Sequence, residues 1–142
     1  MATPSFDWTQ YVRLADQLSM CADEASQRSS ISRAYYAVFH AATFHAKTNG
    51  YSGRSHGRLW KTYQCDSERN CRKLSAIANS MKRAREQADY ETNVPRIDEI
   101  MAQQLKDAAK FTTMLATVPI KSPQPLPPSP VQMCPFCLNA LP

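Results

Sequence analysis

Apolar residues recur at helical spacing over most of the chain, and this periodicity constrains the fold more than any other feature. In the clearest stretch they return every three or four positions, at Ile97, Ile100, Met101, Leu105, Ala108, Phe111, Leu115 and Val118. Only three of the 142 residues are glycine, so long uninterrupted elements are expected. The sequence therefore predicts an all-α protein.

Breaks in the pattern divide the chain into an up-and-down bundle of about four long helices plus a short one. The long helices are predicted at residues 6–22, 27–48, 67–90 and 95–118, and the short one at "SHGRLWKTY", residues 55–63. Asn49-Gly50 acts as a helix stop, and Pro95 suits the first turn of a new helix. These elements form one predicted helical domain, residues 1–120.

The end of the chain differs in composition from the helical domain. The stretch "PIKSPQPLPPSP" holds six of the ten prolines and cannot form helix or sheet core. Residues 121–142 are therefore predicted to be a flexible Pro-rich tail. This tail ends in "CPFC", which contains Cys134 and Cys137.

Positive charge is concentrated in the middle of the chain. The formal net charge is +5, and residues 51–90 contain nine Lys/Arg against four Asp/Glu. Such a patch favours a polyanion such as RNA, although a solvated helix face has the same composition. The candidate phosphate contacts are Arg72, Lys73, Arg83 and Arg85. Neither a membrane span nor a signal peptide is evident, so a cytoplasmic protein without membrane contact is expected.

The second predicted helix contains "SRAYYAVFHAA", in which Arg33 and His40 lie about two turns apart on one side. A helical wheel gives this helix a core stripe formed by Ile31, Ala34, Tyr35, Val38, Ala42 and His45. The opposite face, with Tyr36, Ala37 and Phe44, is also apolar and aromatic. A helix apolar all round is buried on both sides, so we interpret the second face as the interface of a homodimer. Arg33 is then either part of a site or an interface anchor.

Three stretches of the sequence resemble the HEPN domain family in order and spacing. They are "RSSISRAYYAVFHAA" at 28–42, "SHGRLW" at 55–60 and "RAREQADYE" at 83–91, and the resemblance covers about residues 8–118. It implies an all-α bundle that dimerises. Many HEPN proteins are metal-independent endoribonucleases, and prokaryotic members are often toxins paired with a minimal nucleotidyltransferase antitoxin.

The resemblance implies that Arg33 and His40 are the catalytic pair and meet the same pair of a second subunit. Metal-free RNA cleavage needs a base, an acid and a cation, which histidine and arginine supply. We infer that two histidines from two subunits divide the base and acid roles. No cofactor is implied. The alternative is a non-catalytic HEPN module that binds a nucleotide or scaffolds a nucleotidyltransferase partner.

Three further residues are weaker candidates for supporting roles. Tyr36 lines the predicted site, and His56 precedes a glycine between the helices. Asp89 either orients Arg33 or His40, or pairs with Arg85 four residues earlier. His45 is interpreted as a core residue.

Cysteine usage does not define a metal site. Five cysteines without a secretory context indicate reduced thiols rather than a disulfide framework. Cys134 and Cys137 have zinc-knuckle spacing but supply only two of four ligands. The pair is open to three interpretations: a zinc site completed by a second subunit, a redox pair, or an uncommitted tail. We assign no metal.

Overall fold

The computed structural model describes residues 5–119, which fold into five α-helices. They are α1 (Gln10–Ser19), α2 (Glu24–Thr48), α3 (His56–Gln64), α4 (Arg69–Tyr90) and α5 (Ile97–Leu115). Residues 5–119 contain no β-strand, so the predicted all-α bundle is confirmed. Within the same residues, no helix is both long and apolar enough to cross a membrane. The predicted Pro-rich tail and its boundary lie outside the described residues.

The central element is α2, which packs against α1, α4 and α5, while α3 packs mainly against α4. The predicted core stripe of α2 is confirmed, because Ile31, Ala34, Tyr35, Val38 and Ala42 are all buried. The opposite face of α2 receives α1 and the residues just before it. Much of the surface that we interpreted as a subunit interface is therefore covered within the same chain. The short connection from α1 to α2 explains this, because it makes the two helices neighbours.

Both ends of α2 are fixed by local hydrogen bonds. At its start, the Asp23 carboxylate accepts a hydrogen bond of 2.9 Å from the backbone N–H of Ser26. At its end, Gly50 adopts a φ of 94°, which favours glycine. The N–H of Gly50 then donates to the carbonyl of Lys47, and that of Tyr51 donates to the carbonyl of Ala46. The predicted stop at Asn49-Gly50 is confirmed.

Four of the five helices begin later than predicted, and two of these delays have a local cause. The carboxylate of Asp7 accepts hydrogen bonds from the backbone N–H and the hydroxyl of Thr9, and this turn delays α1 to Gln10. Arg96 adopts a left-handed conformation with a φ of 56°, so α5 begins at Ile97 and not at Pro95.

Arg28 connects the start of α2 to the end of α4. Its guanidinium donates to the carbonyls of Ala88 at 3.1 Å, Glu91 at 2.5 Å and Thr92 at 3.0 Å. The last carbonyls of a helix have no partner inside the helix, so this side chain satisfies groups that otherwise depend on water. The contact holds the end of α4 against the helix that contains Arg33 and His40.

His45 lies at the edge of the core. Its ring nitrogens lie 3.2 Å from the Tyr63 hydroxyl and 3.4 Å from the Val118 carbonyl oxygen. The hydroxyl of Tyr63 also donates to the carbonyl of Ala42 at 2.9 Å. These contacts give His45 a structural place between α2, α3 and the end of α5, as the wheel predicted.

Candidate functional site

The ring of Tyr36 lies within reach of two arginines and two histidines. The guanidinium carbons of Arg33 and Arg85 lie 5.3 Å and 5.7 Å from its centroid. The ring centroids of His40 and His56 lie 6.4 Å and 5.9 Å away. We call these five residues the Tyr36 cluster. It brings together three helices and contains both residues of the predicted catalytic pair.

Arg33, Tyr36 and His40 share one face of α2 because they are spaced by three and four residues. All three side chains are half-buried. The ion pairs found within residues 5–119 do not include Arg33, whose guanidinium lies over aromatic rings instead. This cation is therefore held in place without being neutralised by a carboxylate of the described chain.

Aromatic residues before and within α1 cover part of this face. Trp8 stacks on His40 with ring centroids 3.3 Å apart and planes at 9°, and Tyr11 lies under Arg33 at 4.9 Å. Phe6 packs edge-on against both Trp8 and Tyr11. The sequence analysis did not predict this contribution, although three aromatic residues stand close together around the start of α1, at Phe6, Trp8 and Tyr11.

A groove opens beside His40. It has a volume of about 740 Å³ and is lined in part by Phe6, Trp8, Phe44 and Lys47. Phe44 remains 73% exposed, in contrast to the small residues of the same face. The predicted partner surface is therefore reduced to the groove and its exposed aromatic rim.

His56 enters the cluster from the first turn of α3. The preceding residue, Ser55, caps this helix by accepting from the N–H of Arg58 at 3.1 Å. The imidazole of His56 stacks on Phe39 at 3.9 Å, and its Nδ1 lies 2.7 Å from the hydroxyl of Tyr35. This weak candidate from the sequence is thus placed beside the predicted pair.

Arg85 is buried, so its interpretation as part of a solvated helix face is wrong, whereas its contact with an RNA phosphate stays a prediction. Its side chain is only 9% exposed, and its Nε has no hydrogen-bond partner in the described part of the chain. One terminal nitrogen lies 3.7 Å from the carboxylate of Asp89, which also accepts a hydrogen bond from the Ser32 hydroxyl at 3.2 Å. Asp89 therefore forms an ion pair with Arg85 of the same helix, which is the second of the two predicted alternatives. Its contacts are to Arg85 and Ser32 rather than to Arg33 or His40.

Burial and neighbouring charge keep both histidines of the cluster neutral. Burial lowers the pKa of His40 below its usual 6.5, and the nearby His56 lowers it further. Burial also lowers the pKa of His56, and the positive charges of Arg85 and Lys82 add to the effect against an opposing contribution from Glu86. Each ring therefore has an unprotonated nitrogen near pH 7.

The other predicted phosphate contacts lie outside the cluster. Arg72, Lys73 and Arg83 are exposed, as expected for a basic surface. Arg72 also donates to the carbonyls of Asp66 and Ser67 at 3.3 Å and 3.1 Å. Along α4, Arg72 precedes Arg85 by thirteen residues, which is about 20 Å of helix. The basic residues therefore spread along α4 rather than converge on one point.

No group of three or more His, Cys, Asp and Glu side chains in residues 5–119 is arranged to hold a metal ion. Cys134 and Cys137 lie outside the described residues.

Comparisons with protein-family models, with curated proteins and with solved structures return no match for this chain.

Proposed function

We propose that this protein is a metal-independent endoribonuclease of HEPN type that acts as a homodimer and serves as the toxin of a toxin–antitoxin or defence system. The observation that carries the proposal is the Tyr36 cluster. It combines Arg33, which has no carboxylate partner within residues 5–119, with a neutral histidine on the same helix face, His40. This is the residue chemistry that the resemblance to the HEPN family implies.

His40 acts as the base in the proposed reaction. Its pKa lies below 6.5, so near pH 7 it accepts the proton of the RNA 2′-hydroxyl. That oxygen attacks the adjacent phosphorus, and the bond from phosphorus to the 5′-oxygen breaks. The products are a 2′,3′-cyclic phosphate and a 5′-hydroxyl. Arg33 binds the phosphate and stabilises the charge that develops on it.

A second copy of the chain supplies the proton for the departing 5′-oxygen from a His40 ring that carries a second proton, whereas the His40 that acts as the base is neutral. One histidine cannot reach both ends of an in-line displacement, whereas His40 from each of two subunits meets this need. The exposed Phe44 at the rim of the groove offers an apolar contact for this second copy. A small nucleotidyltransferase is the proposed antitoxin partner.

The proposal is tested by RNA cleavage in excess EDTA. Wild type should leave a 2′,3′-cyclic phosphate, and Arg33→Ala and His40→Ala should each lower the rate by about 100-fold or more. The control is His45→Gln, a change on the same helix but outside the Tyr36 cluster, which should keep the wild-type rate. A mixed dimer of wild-type and His40→Ala chains should retain well below half of the activity. Strict metal dependence, or full activity of His40→Ala, refutes the assignment.

A second candidate function is a non-catalytic module that binds a nucleotide or scaffolds a nucleotidyltransferase. The stack of Trp8 on His40 favours it, because an aromatic ring beside cations and an open groove suits a nucleobase with its phosphates. Salt titrations of RNA binding separate the two functions. A basic surface that includes Arg72 and Arg83 makes RNA affinity fall with salt, and alanine at both positions flattens that dependence. Absence of RNA binding favours the scaffold.

A further inference from the structure

Three side chains of the described structure form a chain of hydrogen bonds that ends in the Tyr36 cluster. The indole N–H of Trp60 donates to the hydroxyl oxygen of Tyr35 at 3.0 Å, and that hydroxyl lies 2.7 Å from Nδ1 of His56. An indole N–H can only donate, so the Tyr35 oxygen is the acceptor in the first bond. The phenolic proton is then available for Nδ1 of His56.

Burial fixes the direction of the second hydrogen bond. Tyr35 has no exposed surface, and burial raises its pKa to about 12, so its hydroxyl keeps its proton at neutral pH. Among the described contacts, Nδ1 of His56 is the acceptor available to this buried hydroxyl proton, so Nδ1 accepts and the single proton of the neutral ring resides on Nε2. The stack on Phe39 at 3.9 Å holds the ring plane. His56 is thus oriented as a neutral donor through Nε2.

The surroundings of this Nε2–H favour an anion. No hydrogen bond within residues 5–119 involves Nε2, and it is not among the buried polar atoms without a partner, so it has access to solvent. The guanidinium groups of Arg33 and Arg85 both lie over the ring of Tyr36, whose centroid is 5.9 Å from that of His56, and within residues 5–119 the Nε of Arg85 has no hydrogen-bond partner. A neutral donor that shares the Tyr36 ring with two cations matches a phosphate oxygen.

We propose that His56 binds the scissile phosphate of RNA, donating from Nε2 to a non-bridging oxygen in the same chain that provides Arg33 and His40. This inference rests on the proposed function for its substrate. His56 transfers no proton in this role, because loss of the Nε2 proton from a neutral ring leaves an unstable anion. Its hydrogen bond strengthens as negative charge develops on the phosphate, which adds to the effect of Arg33.

The first test reads the tautomer directly in the free protein. Nitrogen–proton correlation spectra of the histidine rings at pH 7.5 should show His56 neutral, with its proton on Nε2. Tyr35→Phe should raise the pKa of His56, because the hydrogen bond to the neutral ring is lost. A proton on Nδ1, or a charged ring in the wild type at this pH, overturns the proposal without any reference to RNA.

The second test uses paired substitutions and two RNA probes. Glutamine places its amide nitrogen near the position of Nε2, whereas asparagine places it near Nδ1. We expect His56→Gln to stay within a few fold of wild type, and His56→Asn and His56→Ala to lose about 10- to 100-fold. Cleavable RNA measures the rate, and a 2′-O-methyl oligoribonucleotide measures binding without reaction.

The outcomes separate this inference from the proposed function. If wild type cleaves RNA and His56→Ala cleaves and binds equally well, the inference fails and the proposed function stands. If wild type does not cleave, but His56→Ala weakens binding of the 2′-O-methyl probe, the proposed function fails and His56 remains a phosphate-binding residue. If neither probe responds to substitution of His56, the inference fails.

Discussion

Arg85→Met is the substitution that best separates stability from function in this protein. Methionine keeps an unbranched apolar stem of similar length and removes the buried guanidinium. The side chain of Arg85 is 9% exposed, its Nε has no hydrogen-bond partner among residues 5–119, and its charge contributes to the lowered pKa of His56. A buried, incompletely paired cation is a poor source of stability, so we expect this residue to serve the site.

The contributions to stability nearly cancel. Relief of the unpaired Nε contributes about 1–3 kcal/mol in favour of the variant. The ion pairs with Asp89 and Glu86 span 3.7 Å and 3.8 Å, and the two carboxylate side chains are 30% and 46% exposed, so the loss of each pair costs about 0.5 kcal/mol. The contacts with the rings of Tyr35 and Tyr36, at 5.4 Å and 5.7 Å, contribute about 1 kcal/mol each. We therefore expect the free energy of unfolding of Arg85→Met to lie within about 1 kcal/mol of wild type.

Urea denaturation and NMR titration test this reasoning together. Arg85→Ala is the matched control: it removes the apolar stem as well and should be less stable than Arg85→Met by roughly 2 kcal/mol. In Arg85→Met the pKa of His56 should rise, because a positive neighbour is lost. Arg85→Met should also bind RNA more weakly than wild type. A loss of more than about 3 kcal/mol in Arg85→Met, with the pKa of His56 unchanged, shows that Arg85 is a structural ion pair and refutes the argument.

Three other predictions concern the fold, the titration of the site and the assembly. Arg28→Ala should lower the free energy of unfolding, measured in urea, by about 2–4 kcal/mol, because carbonyls at the end of α4 lose a charged donor. The control is Glu24→Ala, which removes the exposed ion-pair partner of Arg28 and should cost less than about 0.5 kcal/mol. An equal effect of the two contradicts the role of Arg28 at α4. The pKa values of His40 and His56 are lowered from 6.5, so the unfolded chain binds protons first as the pH falls. The free energy of unfolding should therefore decrease as the pH falls from about 6.5 to the pKa values of the folded state. Replacing both histidines with glutamine should make this decrease shallower, and a pH profile that does not change in the double variant contradicts the prediction. Phe44→Glu adds a charge at the exposed apolar rim of the groove and should therefore weaken the dimer, which light scattering measures. If wild type and variant are both monomeric, the predicted dimer is wrong.

Helical periodicity was sufficient to predict much of the fold. The core stripe of α2 and the aligned positions of Arg33 and His40 follow from a period of 3.6 residues alone. The same rule contains the signal for the buried Arg85, which stands four residues after Met81 and three before Ala88. Its charge led us to assign it to the surface, and the periodicity was the better guide.

The partner of each face could not be predicted in the same way. Periodicity shows that α2 is apolar on two sides, but it does not specify whether α1 or a second subunit covers the second side. The hydrogen bond between Tyr35 and His56 joins residues 21 positions apart in the chain. Its formation depends on how α3 docks, and no local pattern around "SHGRLW" encodes that distance.

The location of His56 changes what a second subunit has to contribute. If Arg33 and the Nε2–H of His56 act as proposed, each protomer binds a phosphate with its own residues, and its own His40 takes the 2′ proton. The partner copy then supplies only the proton for the 5′-oxygen. On this division of roles, a protomer that cannot dimerise still binds RNA but does not cleave it. Phe44→Glu therefore separates the phosphate-binding half of the proposed mechanism, which should survive, from proton donation, which should be lost.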